Sequence, residues 1–131
     1  MKLALGIGCD SGTPAATITQ AAHEALALAR ATADDVAAIA SIDLKKNEAG
    51  LLEFAAACNH RIAFYPAEKL AQVAVPNPSE TVRRYTGTPS VSEAAALLAA
   101  NAGMSALLVE KHKLRGPDGR NATISIARIA Q

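Results

Sequence analysis

Aromatic residues are nearly missing from this sequence: it has no tryptophan, two phenylalanines and two tyrosines, 3% in all. A surface that stacks successive bases needs several such rings, which argues against a single-stranded nucleic-acid platform. An excess of one charge is missing too. Thirteen Lys and Arg against twelve Asp and Glu leave a net charge of +1, so no basic stripe is available to displace counterions from a phosphate backbone. Cysteine is scarce, and Cys9 and Cys58 have neither the density of a disulfide framework nor zinc-ligand spacing. No apolar run approaches the roughly 20 residues that span a bilayer. The start, Met1 to Asp10, superficially looks like a signal peptide. Gly6 and Gly8 interrupt its apolar run and Asp10 ends it, so it reads as a first strand. These absences point to a cytoplasmic protein, with no nucleic-acid partner, no membrane partner, no metal and no cofactor.

What is abundant is small and apolar. Half of the 131 residues are hydrophobic, with alanine prominent among them. Alanine buries little area, so the core must rest on Leu, Ile and Val, with close helix packing where Ala faces Ala. A chain this long can bury about two-thirds of its unfolded surface. Residues 1–131 are expected to form one domain, without repeats or low-complexity tails.

Hydrophobic patterning predicts strands over 2–9, 36–44, 61–65, 105–109 and 123–129, and helices over 14–31, 48–58 and 66–70, with further helices after Ser79 and Ser90. Thr13 before Pro14, Asn47 and Ser79 are expected N-caps. Thr32 to Asp35 reads as a polar break. Ser90-Val91-Ser92-Glu93 matches a capping box, and Gly103 is expected to close the helix in the left-handed conformation. Gly116-Pro117-Asp118-Gly119 predicts a hairpin into the last strand. Strands alternating with helices imply right-handed crossovers. The expected fold is an α/β three-layer α/β/α domain, with a mixed, mostly parallel sheet of about five strands and an antiparallel C-terminal strand.

In such sheets ligands lie beyond the carboxyl ends of the strands. Four segments are expected there: Gly8-Cys9-Asp10-Ser11-Gly12-Thr13, Asp43 to Glu48, Pro89 to Glu93, and Lys111-His112-Lys113. The first fails as a dinucleotide fingerprint, because Ser11 stands where a glycine is wanted, and as a P-loop, because no lysine precedes Thr13. It reads either as a tight turn or as a weak anion site, with Asp10 competing against an anion. Lys45, Lys46, Lys111 and Lys113 read either as solvated lysines or as the basic lining of a crevice for a polycarboxylate. Asp43 and Glu48 are the candidate catalytic acid/base pair, or the ion-pair partners of those lysines. Ser90, Ser92 and Glu93 are candidate ligand contacts, with Glu93 read foremost as a cap. Cys9 is either a ligand-lining or structural thiol, or a nucleophile activated at a helix start. Cys58 is expected to serve packing alone. His23, His60 and His112 form no recognisable triad with Cys9.

The order and spacing of Gly6-Ile7-Gly8-Cys9, Ser41-Ile42-Asp43-Leu44-Lys45 with Glu48 and Gly50-Leu51, Ser90 to Ala96, and Lys111-His112-Lys113 resemble one family over essentially the whole chain. It is the family of CobE and of the C-terminal domain of CbiG, from cobalamin biosynthesis. The resemblance implies binding of a precorrin, a corrin-ring precursor bearing many acetates and propionates, with other cobalamin-pathway enzymes as partners. The alternative it implies is a hydrolase. CbiG-type proteins open a δ-lactone on the contracting ring and release a two-carbon aldehyde, an activity that goes with a further N-terminal domain. Family members often carry arginines after the Gly-Cys pair, where Asp10 and Ser11 stand here. A small nucleotide-binding α/β domain is a third, weaker reading.

Overall fold

The computed structural model describes residues 1–130. Five strands and five α-helices follow one another as β1 (Leu3–Cys9), α1 (Ala15–Leu28), β2 (Val36–Ile42), α2 (Ala49–Ala57), β3 (Ile62–Tyr65), α3 (Ala67–Leu70), α4 (Glu80–Thr86), α5 (Ser92–Ala100), β4 (Leu107–Arg115) and β5 (Asn121–Arg128). The strand order is β3-β2-β1-β5-β4. β1 is parallel to β2 and β2 to β3. β5 is antiparallel to both β1 and β4, so it is the one strand running against the other four. The sheet is mixed, as the closing hairpin implied, and the last strand lies inside it.

Side chains alternate between the faces of a strand, and β1 makes the two faces unlike. Leu3, Leu5 and Ile7 join Ile39, Ile124 and Ile126 under α1 and α2, which add Ile18, Leu26, Leu51 and Phe54. Ala4 and Gly6 face the other way, towards α5, a helix rich in alanine. A Cβ at Gly6 would overlap the Ser92 carbonyl oxygen and lie 2.6 Å from the Ala96 nitrogen. The glycine is therefore required by the close approach of helix to sheet. Gly50 does the same for α2, where a Cβ would collide with the Thr13 carbonyl oxygen.

Several local expectations change. Pro14, not Thr13, is the N-cap of α1, because the Thr13 hydroxyl donates back to the Asp10 carbonyl (2.7 Å). Glu48 replaces Asn47 as the N-cap of α2, without a side-chain bond. β2 ends at Ile42, and Asp43–Lys45 form a 3-10 turn. The capping box expected at Ser90 is absent, since Val91 is the N-cap of α5 and the Ser90 hydroxyl donates to Glu93 itself (3.1 Å). A capping box forms instead at Thr32 and Asp35, in the segment read as a break. Asn101, not Gly103, closes α5 in the left-handed conformation (φ 53°). Ser79 does cap α4, accepting from Val82 N at 3.2 Å. β4 runs six residues beyond its expected end at Val109, so Lys111-His112-Lys113 lie within an edge strand and not in a loop. Cys58, expected to serve packing, is exposed at the end of α2.

Candidate functional site

The carboxyl end of β1 is locked into place from two sides. The Asp10 carboxylate accepts from the backbone N–H (2.7 Å) and side-chain amide (3.1 Å) of Asn121 at the start of β5. Gly12 takes φ 80°, which turns its N–H towards Glu48, whose Oε2 accepts it at 3.1 Å. The anion position of this loop is thus filled by the chain's own carboxylate. From the hairpin, Arg120 donates through Nε to the Ser11 carbonyl (3.0 Å) and pairs through Nη1 with Asp118 (3.1 Å).

Cys9, the last residue of β1, leads into this loop, half-buried. Burial pushes its thiol up to about 11. The positive charge of Lys45 opposes the shift, and Glu48 and Asp10 reinforce it. The result is the reverse of an activated nucleophile: at neutral pH the thiol keeps its proton. The same electrostatics put Lys45, Glu48 and Asp10 around one sulfur. Asp43 opens the adjoining turn, half-buried, with Lys46 exposed beyond it.

A second group surrounds the start of α5. Glu93 has no exposed surface. Its carboxylate accepts from the Ser90 hydroxyl and from Asn77 Nδ2 (2.7 Å), and that amide also donates to Glu110 (2.9 Å). The buried Ser92 hydroxyl bonds Ser125 Oγ at 2.8 Å. Lys111 donates to the Asn77 carbonyl at 2.9 Å, and Lys113 is exposed opposite Thr123. His112 points to the other face and meets Glu24 of α1 at 2.7 Å.

The candidate residues therefore form two clusters. Gly8, Cys9, Asp10, Gly12, Thr13, Asp43, Lys45, Lys46 and Glu48 belong to the β1–β2 end. Ser90, Ser92, Glu93, Lys111 and Lys113 belong to α5 and β4. Val91 links the two, because a Cβ on Gly8 would lie 3.8 Å from Val91 Cβ. The ion pairing proposed for the lysines does not form. The salt bridges among the described residues are Arg83–Glu80, His112–Glu24 and Arg120–Asp118, so Lys45, Lys46, Lys111 and Lys113 are in none. His23 is exposed on α1, and His60 Nε2 meets the Val36 carbonyl at 3.0 Å, far from any nucleophile–base arrangement. No group of three or more His, Cys, Asp or Glu among the described residues is placed to hold a metal. No helix among them is long and apolar enough to cross a membrane.

Arg120, Asn121 and Asn77 escaped the sequence reading. Their contacts join segments distant in the chain, and the available cues were local: a turn residue run before Arg120, and Asn77 between Pro76 and Pro78. Two grooves lie away from the carboxyl edge. One is lined by Met1, Lys2, Ala102 and Arg128; the other, by His23, Phe54 and Cys58, lies under α1 and α2. The carboxyl edge itself is an open, charged surface.

Fold and edge together define an open α/β protein that presents acidic, basic and thiol groups beside the ends of its parallel strands. The chain belongs to the family Cobalamin synthesis G C-terminus (CbiG_C), whose model matches residues 3–127. It is 38% identical over 127 residues to cobalt-precorrin-5A hydrolase of Priestia megaterium, covering 97% of this chain and 32% of that protein. It is 39% identical over 109 residues to Protein CobE of Sinorhizobium sp, covering 82% of this chain and 70% of that one. The crystal structure of CobE, a protein from the cobalamin biosynthetic pathway, superposes with a TM-score of 0.75 at 27% identity, over 99% of this chain and 93% of that one. The chain thus spans about a third of the hydrolase, and its family is one of cobalamin biosynthesis.

Proposed function

We propose that the chain, acting as one unit over residues 1–131 in the cytoplasm, binds a precorrin at the carboxyl edge and hands it to other enzymes of the pathway. The observation that carries this reading is the division of the unpaired lysines. Lys45 and Lys46 follow β2 and Lys111 and Lys113 stand on β4, with β1 and β5 between them. At a strand spacing near 4.8 Å the two pairs are separated by about 14 Å or more across the sheet. A small anion cannot reach both, whereas a macrocycle with carboxylates around its rim can. Charge complementarity of this kind acts on encounter and is screened by salt.

A second reading, hydrolysis of the ring δ-lactone, is favoured by the likeness to a cobalt-precorrin-5A hydrolase over 97% of this chain. Asp43 would then be the general base. Its carboxylate has no hydrogen-bond or ion-pair partner among the described residues, while Glu48 is occupied by Gly12 N. Water would add to the lactone carbonyl as its proton passes to Asp43; the acyl C–O bond would then break, and the ring oxygen would leave as a hydroxyl on taking that proton back from Asp43.

Spectrophotometric titration with precorrin and cobalt-precorrin intermediates, followed by mass analysis of the bound compound, separates the two. A shifted spectrum with the ligand recovered intact is the expected result. Lys45→Ala with Lys111→Ala should then weaken binding about tenfold or more and flatten its salt dependence. A chemically altered ring would replace the carrier by the enzyme, and Asp43→Asn should abolish turnover while sparing affinity. No response to any intermediate removes both.

A further inference from the structure

The excursion between α3 and α5 has a fixed base and a free tip. At the base, Ser79 N donates to the Pro89 carbonyl (2.8 Å), and Asn77 joins Glu93, Glu110 and Lys111. Glu93 is wholly buried with only neutral donors on its carboxylate. Such a group is costly to leave unpaired, so its bonds to Ser90 and Asn77 hold both ends of the excursion. At the tip is α4, which buries no residue and is held by the partly buried Val82 and Thr86.

That helix exposes Arg83 and Arg84, and Tyr85 is 80% exposed. Gly87, which ends it at φ 85°, lies against Ala67, the first residue of α3. Tyr65, two residues earlier, is the carboxyl end of β3. The end of α4 therefore stands at the same sheet edge as the Asp43–Lys45 turn, where Leu44 is 62% exposed. Lys69 adds a further cation there, 5.5 Å from the Tyr65 ring.

Val82 already anchors the helix to the core, and a fold gains nothing from a solvent-facing tyrosine beside two exposed arginines on its outer side. A flat ligand with rim carboxylates supplies a face for the ring to stack on and planar acceptors for the guanidinium forks, for Arg84 in full and for Arg83 in exchange for its long, exposed pairing with Glu80 (3.7 Å).

We propose that α4 is a lid over the carboxyl edge: Tyr85 stacks on the bound macrocycle, Arg83 and Arg84 pair with its carboxylates, and the Asn77–Glu93 bond keeps the base of the lid in place. This rests on the macrocycle-binding reading above.

The test uses cobyrinic acid, a stable corrin polycarboxylate, with binding followed by its absorbance. Trypsin cuts after arginine, and the fragments are mapped by mass spectrometry. Saturating ligand should slow cutting after Arg83 and Arg84 about tenfold, while cutting after the distant, exposed Arg30 stays unchanged. Arg83→Ala with Arg84→Ala, and separately Tyr85→Ala, should each weaken binding about tenfold with unaltered melting. Asn77→Ala, at an exposed position, should speed ligand release. If ligand binds but neither the cutting pattern nor the affinities of these variants change, the lid is wrong and the binding reading stands. If the wild type binds neither cobyrinic acid nor any pathway intermediate, both are wrong.

Discussion

Under α1 and α2 the sheet presents Leu3, Leu5, Ile7, Ile124 and Ile126, while under α5 it presents Ala4, Gly6, Ala40, Ser125 and Ala127, with Ile42 the large exception at the carboxyl end of β2. The first face is held together by area, since each large side chain taken from water contributes about 1.5–3 kcal/mol. The second contributes less area per residue and more contact between backbones. Its strands and helix approach until a single methyl at Gly6 has no room. The difference matters for the site, because a helix seated on its own backbone has little freedom to slide. That is what holds Ser90, Ser92 and Glu93 in register with Ser125 and Glu110.

The comparison breaks most readily at Gly6. Gly6→Ala should cost at least about 3 kcal/mol or prevent folding, because backbone and not a flexible side chain must move. Gly8→Ala, two residues along the same face, meets only ordinary contact with Val91 and should cost less than about 1 kcal/mol. Equal losses in urea unfolding would remove close approach as the reason for the position of α5.

On the opposite face Ile124→Ala should cost about 2–5 kcal/mol through lost area and a cavity. A loss below 1 kcal/mol would mean that this face, too, tolerates small residues.

The loop where the two faces meet is tested by pH. Burial raises the Cys9 thiol from 9.0 to about 11, so the folded chain holds that proton more tightly than the unfolded one. The resulting stabilisation is complete below pH 9 and declines as the pH rises towards 11, by roughly 2–3 kcal/mol. Chemical denaturation across that window should show the decline in the wild type, and Cys9→Ser should lack this component. Identical curves would mean that the thiol is not buried as described.

The smallest effect is expected at the far end of α5. Asn101 already occupies the left-handed position (φ 53°), so Asn101→Gly should change stability by less than about 0.5 kcal/mol, and Asn101→Val should lose about 1 kcal/mol or more. A melting series on the three proteins checks the order.

Much of the architecture was legible because helices and strands repeat with different periods and glycine and proline mark the turns. The order of elements, the antiparallel last strand and the cap at Ser79 all follow from cues within a few residues. The same locality explains the errors. Ser90 and Glu93 have the spacing of a capping box, but their side chains satisfy each other. β4 outruns the end expected at Val109 because Glu110, Lys111, Lys113 and Arg115 are charged, which breaks the apolar pattern but suits an edge strand with exposed faces.

By itself the sequence determined which segments are strand and which helix, where large and small apolar residues alternate, and which family the chain resembles. Only the tertiary structure decided that β5 lies between β1 and β4, that Glu48 fills the anion position at Gly12, and that the lysines stand on two sides of an open surface. The physical reason is range. Backbone periodicity and turn chemistry are local, whereas strand order and hydrogen bonds between distant loops depend on which surfaces remain to be covered once the core has closed.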